Sequence, residues 1–212
     1  MTMPENTAFC GVILAAGESS RMGRDKALLP WPPSSQTETL LSANIAALMP
    51  FTAEVLVVAG RNAAQLAPIA SACGARMILN PAPERGQFSS LQTGLQELVA
   101  RVWNAALITP VDNPPLSSAS IENLCKAYSL AAARGAWAVA PERNGRRGHP
   151  LVAGRALIDA FLHAPLTSNA REVRNANADK IEFYPVPDLT LGRDLNTPEQ
   201  YAAAEKPPES ER

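Results

Sequence analysis

Short apolar runs that alternate with helix-length segments constrain this chain more than any other feature. Residues 9–16 (FCGVILAA), 54–59 (EVLVVA), 75–79 (ARMIL) and 105–111 (AALITPV) are four such runs. Their lack of polar alternation predicts strands buried on both faces. Between them, residues 39–48, 63–73 and 89–102 read as helices, the last repeating Leu91, Leu95, Leu98 and Val102 at helical spacing. A long helix is expected over 118–133, with Ser117 or Ser118 as its cap. Residues 136–140 and 181–185 are further strand candidates. The pattern predicts a three-layer α/β/α, Rossmann-like fold with a mostly parallel sheet. At 212 residues one large domain is expected, over 1–205, with the polar, proline-containing end 206–212 as a tail.

Composition narrows the function classes. Nineteen basic and twenty acidic residues give a net charge of −1, without the positive excess of a nucleic-acid binder. The three cysteines, Cys10, Cys73 and Cys125, are scattered in apolar stretches, so buried thiols are expected rather than a disulfide framework or a zinc site. The N-terminal stretch lacks the basic region of a secretory signal, and no run approaches the ~18 apolar residues that cross a bilayer. A cytoplasmic protein is the expectation.

In sheets of this kind ligands bind beyond the carboxyl ends of the strands. The segments after Ala16, Leu79, Val111 and Ala140 are rich in Gly, Arg, Lys, Asn and Asp, the residues that meet phosphates and cations. The stretch from Leu14 to Lys26, LAAGESSRMGRDK, leaves the first strand directly. Its small residues Ala15, Ala16 and Gly17 let backbone N–H groups approach phosphate oxygens, and Arg21 and Lys26 supply positive charge. It is neither a Walker A loop, since five residues separate Gly17 from Gly23, nor a dinucleotide fingerprint, since no GxG occurs.

Asp112 ends the fourth strand among Pro110, Pro114 and Pro115. A carboxylate there can hold Mg²⁺, which prefers one or two carboxylates together with phosphate oxygens. The alternative, a cap for the following helix, is the better assignment for Ser117 or Ser118. Thr197-Pro198-Glu199 reads as a helix start, with Thr197 as cap.

LAAGESSRMGRDKALLP resembles the LAxGxSxRMGxxKxLLP signature of the MobA-like NTP transferases, a family that includes enzymes attaching CMP or GMP to molybdopterin. The resemblance spans about residues 9–203. It implies a nucleotidyltransferase whose first loop, with Leu14, Ala15, Ala16, Gly17, Arg21 and Lys26, holds the NTP phosphates. It makes Asp112, similar to the family's DxP aspartate, the principal Mg²⁺ ligand. GRDLNTPEQY resembles the D-x-(D/N)-TPED element, so Asp194 or Asn196 is a second oxygen contact. SSLxxG, following Asn80, resembles the nucleobase segment, with Ser90 as the candidate and Ser89 as runner-up; helix capping is the alternative for both. Gly94 is expected to permit close helix–sheet packing. Ala16 in LAxG is commoner among cytidylyltransferases and favours CTP. RGHP resembles an element near the acceptor and places His149 there. SNAREVRNANADK departs from the GDxGAR pattern, lacking its Gly and Asp; Arg171 corresponds to that arginine, with Arg174 beside it. The implied partners are an NTP and a small phosphorylated acceptor such as molybdopterin. A sugar-phosphate acceptor, or a non-catalytic nucleotide-binding accessory to molybdoenzyme maturation, are the alternatives.

Overall fold

The computed structural model describes residues 9–17, 22–100, 103 and 105–204. Arg21 and the expected tail lie outside the described residues.

Eight strands form one sheet: β1 (Phe9–Leu14), β2 (Glu54–Ala59), β3 (Arg76–Leu79), β4 (Ala105–Pro110), β5 (Ala138–Arg143), β6 (Arg146–Arg147), β7 (Leu151–Gly154) and β8 (Ile181–Pro185). Their order is β3-β2-β1-β4-β7-β5-β6, with β8 also paired to β5. β3, β2, β1 and β4 run parallel, as do β5 and β8, while β7 runs antiparallel to both β4 and β5. The sheet is thus mixed and mostly parallel.

The continuous apolar runs have the cause expected of them. Helices α1 (Leu40–Leu48), α2 (Ala63–Ala72) and α4 (Ser118–Ala132) cover one face, where Ile13, Val55, Val57 and Leu107 meet Leu41, Ile45, Leu66 and Leu124. Helices α3 (Gln87–Val99), α5 (Arg155–His163) and α6 (Ala170–Ala176) cover the other, where Val12, Leu56, Val58 and Ile108 meet Leu95, Leu98, Leu157 and Phe161. Gly94 belongs to this second contact. A Cβ there would stand 2.8 Å from Val58 Cγ2 and 2.9 Å from Val12 Cγ1, so the absent side chain is what lets α3 lie on the sheet.

Several boundaries differ from expectation. β1 ends at Leu14, releasing Ala15 and Ala16 into the loop. α3 starts at Gln87, behind Gly86 at φ 87°, a left-handed conformation that glycine adopts without strain. β5 is displaced to Ala138–Arg143. β7, α5 and α6 fall where no element is expected. Thr197 does cap the last helix, α7 (Pro198–Ala203), reciprocally with Gln200, and Ser117 caps α4. Cys10 and Cys125 are buried, but Cys73 is half-buried because it closes the exposed end of α2. No described helix is long and apolar enough to cross a membrane.

The chain proceeds outward from β1 through β2 to β3, then returns to place β4 on β1's other side. That reversal opens a crevice at the carboxyl ends of β1 and β4, the position where open α/β sheets take ligands.

Candidate active site

The loop leaving β1 is held from below. The Ala15 N–H donates to Val58 O at 2.8 Å, and the Val111 N–H to Leu14 O at 3.0 Å, so both flanking strands anchor its base. Asn62, just before α2, donates through Nδ2 to Ala15 O at 2.8 Å and to Asp25 Oδ2 at 2.6 Å. Asp25 Oδ1 in turn accepts from the Ala27 N–H at 2.9 Å, capping the short 3₁₀ turn Lys26–Leu28. The two ends of the loop are therefore fastened to one amide, with Gly17 at the exposed rim and Lys26 turned inward. Asn62 and Asp25 were not among the expected residues, although an Asp one residue ahead of a short turn is a capping signal.

Asp112 stands where β4 gives way to a turn, and a buried asparagine fixes that turn. Asn44 of α1, only 2% exposed, donates through Nδ2 to Leu40 O at 2.9 Å, to Asn113 O at 3.2 Å and, more weakly, to Val111 O at 3.4 Å. The carboxylate has partners from both ends of the chain. Lys26 Nζ donates to Asp112 Oδ2 at 2.9 Å and to Asn196 Oδ1 at 2.7 Å. Asn113 Nδ2 donates to Asp112 Oδ1 at 3.3 Å and to Asp194 Oδ1 at 3.1 Å. The Leu195 N–H donates to Asp112 O at 3.0 Å. Lys26, Asp112, Asp194 and Asn196, four residues singled out in the sequence, thus converge through direct contacts. Asn113, which joins two of them, was not among the expected residues.

Two cavities meet at this cluster. One, of about 430 Å³, is lined by Leu14, Ala16, Gly17, Lys26, Ser90 and Asp112, together with Pro83, Glu84, Gly86 and Gln87. Ala15 stays buried beneath it. Asn80 orders its far wall, donating through Nδ2 to Ser89 Oγ at 2.9 Å and Ser90 Oγ at 3.0 Å. Ser89 Oγ donates to Gly86 O at 2.8 Å or Ala82 O at 3.1 Å, which ties it into the first turn of α3. Of the two serines, Ser90 faces the cavity.

The second cavity, of about 350 Å³, is lined by Asn113, Arg147, His149, Arg171, Arg174 and Asp194. Arg147 lies over the Phe183 ring, 3.8 Å from its centroid. Desolvation, then the charges of Arg171 and Arg147, hold the Arg174 guanidinium below its usual pKa, the mark of crowded cations. His149 Nδ1 lies 3.2 Å from Ile108 O. A carbonyl oxygen only accepts, so Nδ1 carries the proton and neutral His149 offers Nε2 as an acceptor. Burial, aided by Arg174, keeps the imidazole below its ordinary pKa, although the Ile108 contact, Asp194 and Asp112 pull upward. A third cavity, of about 380 Å³, connects the two: it shares Leu14, Gly86 and Gln87 with the first and His149, Arg171 and Arg174 with the second.

Among the described residues no group of three or more His, Cys, Asp or Glu gathers as a cation site. Asp112, Asp194 and Asn196 nevertheless form an all-oxygen set of the kind a hard cation accepts when phosphate completes its shell. A cation, the Lys26 ammonium, already rests on two of those three residues.

A mostly parallel sheet whose crevice sets a lysine from the first loop against a carboxylate beyond the fourth strand is the architecture of a ligand-binding α/β enzyme. Comparison with known proteins gives the family. The MobA-like NTP transferase domain model matches residues 11–181, and the chain belongs to that family. It is similar to the molybdenum cofactor cytidylyltransferase of Escherichia coli (strain K12), 25% identical over 197 residues that cover 92% of this chain and 94% of the relative. It is also similar to a probable molybdenum cofactor guanylyltransferase of Rhodopirellula baltica, 27% identical over 190 residues, covering 89% and 87%. Among solved structures, Rv0371c from Mycobacterium tuberculosis H37Rv superposes with a TM-score of 0.75 at 19% identity, covering 93% of this chain and 97% of that one. The chain is accordingly an enzyme of the nucleotidyltransferase type, acting on a small phosphorylated acceptor.

Proposed function

We propose that the chain transfers CMP from CTP to the phosphate of molybdopterin, using Mg²⁺ and releasing pyrophosphate. An acceptor phosphate oxygen attacks the α-phosphorus in line, the new P–O bond forms as the bond to the β-phosphate oxygen breaks, and pyrophosphate leaves with that bond's electrons. One observation carries the reading. Asp112 lines the cavity under the phosphate loop, Asp194 lines the basic cavity beside it, and one amide bridges the two.

In this reading the loop residues Leu14 to Gly17, with Arg21 and Lys26, hold the triphosphate, and Ser90, set by Asn80, meets the base. Ala16 supports a cytosine, and so does the cytidylyltransferase relative. Asp112, with Asp194 and Asn196, would hold Mg²⁺, which when bound supplies charge neutralisation at the α-phosphate and the leaving group. Arg171 and Arg174 draw the acceptor phosphate in. That phosphate is already ionised near neutral pH, so His149 is needed for positioning and not as a base. The third cavity combines Leu14, Phe88, Leu91, Ile108, Leu151 and Phe161 with the polar Gln87, Ser168 and Asn169, a lining that supports an acceptor with a flat ring and polar edges such as molybdopterin. Because the two cavities together draw on residues from Leu14 to Asp194, residues 1–205 are taken as one catalytic domain. In this reading the chain works in the cytoplasm, upstream of molybdoenzyme maturation.

The test is pyrophosphate release from each of the four NTPs, with Mg²⁺ and with molybdopterin or sugar phosphates as acceptors. The reading expects turnover with CTP and molybdopterin. Turnover with sugar phosphates alone, or nucleotide binding without turnover, would replace it with one of its rivals.

A further inference from the structure

We propose that Asn113 is a positioning residue that sets the separation of the Asp112 and Asp194 carboxylates and so tunes the site's affinity for its divalent cation. The inference rests on the metal reading above and assigns a role to a residue that the family motif leaves variable.

Asp112 and Asp194 come from segments far apart in sequence, and like charges brought together push each other away. The Asn113 amide sits between them, with Nδ2 at 3.3 Å from Asp112 Oδ1 and 3.1 Å from Asp194 Oδ1. A primary amide nitrogen carries two diverging hydrogens, one for each carboxylate. The chemistry also fixes which way the amide faces, because ionised carboxylates accept and never donate, so nitrogen and not oxygen must lie toward them.

The bridge is rigid. Asn113 is 7% exposed, its N–H donates to Pro110 O at 3.2 Å, and its carbonyl accepts from Asn44 Nδ2 at 3.2 Å. These bonds fix the backbone from which the amide projects, and burial leaves the side chain little solvent to turn into. Asn113 differs from Lys26 in one decisive respect. The lysine neutralises the oxygens it touches, whereas a neutral amide aims two carboxylates and leaves their full charge for a cation. Partners that orient metal ligands in this way commonly change affinity about 10- to 100-fold when removed.

Two variants grade the effect. Asn113→Ser keeps one donor, enough for one carboxylate, and Asn113→Leu keeps the bulk but no donor. Mn²⁺ binding would be followed by electron paramagnetic resonance with α,β-methylene-CTP present, and binding of the same analogue in EDTA would be measured separately. The expected result is a Kd for Mn²⁺ that rises from wild type through the serine to the leucine variant, by about tenfold overall. Metal-free nucleotide affinity should stay within about twofold, since no donor–phosphate contact is touched. Unchanged Mn²⁺ affinity in both variants would overturn the proposal. So would parallel loss of metal-free nucleotide binding, which marks a merely structural role. If the leucine variant fails to fold, the serine variant decides alone. Failure of the wild type itself to bind Mn²⁺ would bring down the metal reading together with this inference.

Discussion

The Lys26 ammonium lies 2.9 Å from Asp112 Oδ2, an ion pair that closes 86 residues of chain onto one point. It joins the loop leaving β1 to the turn that follows β4, across the crevice where the strand order reverses. Asn196 shares the same ammonium, at 2.7 Å, so the C-terminal segment is drawn in as well. The relationship holds in register a site assembled from three distant segments.

Replacing Lys26 by Met is expected to do two things. It leaves Asp112 and Asn196 without their cation; the Lys26 and Asp112 side chains are 13% and 22% exposed, so the ion pair is only partly screened. A stability loss of about 1–2 kcal/mol follows, below the cost of breaking a fully buried pair. Calorimetry should show a Tm lower by about 2–8 °C for a chain of this size. Activity falls much further, because the charge facing the triphosphate is gone: kcat for pyrophosphate release should drop about 10²- to 10³-fold. An activity loss no larger than the stability loss accounts for would show that Lys26 merely braces the fold.

Arg174 offers a prediction that separates acceptor from donor. Its guanidinium is crowded by Arg171 and Arg147 and partly desolvated, so an incoming phosphate relieves repulsion as well as gaining hydrogen bonds. Arg174→Gln should raise the acceptor KM about tenfold, the equivalent of one charge-assisted hydrogen bond. The KM for CTP should be unchanged, because Arg174 does not line the cavity containing Lys26 and Asp112. Steady-state kinetics with each substrate varied in turn make the check; equal effects on both KM values would contradict the division into two cavities.

The legible parts of the molecule are those in which one physical demand dominates a segment. β1, β2 and β4 are covered by helices on both faces, and a strand in that position has to read as an uninterrupted apolar run. Thr197 and Ser117 were readable as caps for a similar reason, since only a few side chains satisfy a free N-terminal N–H. β7 was not readable. Leu151–Gly154 is four residues long, follows a basic turn, and lies antiparallel between β4 and β5, so local sequence cannot tell it from loop. α5 did carry a signal, Leu157, Ile158 and Phe161 buried on one side, within a segment too short to stand out. At the site, Lys26 and Asp112 were visible because charge just beyond a buried strand has few structural uses, whereas Asp194 and Asn196 were visible only through the resemblance of GRDLNTPEQY to a family motif. Asn44, Asn62 and Asn113 were hidden because an asparagine looks the same whether it caps, braces or faces water. Only the partners that folding brings to it reveal the role.

Gly94 tests how much of the site depends on the packing beneath it. Ala is the better helix former by about 1 kcal/mol, so propensity alone would make Gly94→Ala stabilising. The added Cβ would meet Val58 Cγ2 at 2.8 Å and Val12 Cγ1 at 2.9 Å, both on central strands with little room to retreat. Overpacking of this kind costs about 1–3 kcal/mol and should outweigh the propensity gain. The expected result is a Tm lower by a few degrees, with a raised KM for CTP as α3 carries Ser89 and Ser90 away from Asn80. A stabilised variant with unchanged kinetics would show that the helix–sheet gap has slack.

His149 makes the stability of the fold depend on pH. In the unfolded chain the imidazole titrates near the ordinary histidine value of about 6.5. In the folded protein burial and Arg174 lower that value, and the opposing pulls of Ile108 O, Asp194 and Asp112 do not restore it. Between the two values the unfolded chain binds more protons, so unfolding free energy rises with pH across that window. The contribution is complete above the unfolded value and is lost as pH falls toward the folded one. His149→Asn removes the titration. The Tm of wild type minus that of the variant should therefore be level from about pH 7 to 8 and fall as pH drops below about 6.5. A difference that grows on acidification would mean that His149 gains a proton on folding. The ring would then present a donor to the acceptor cavity where the structure gives it an acceptor.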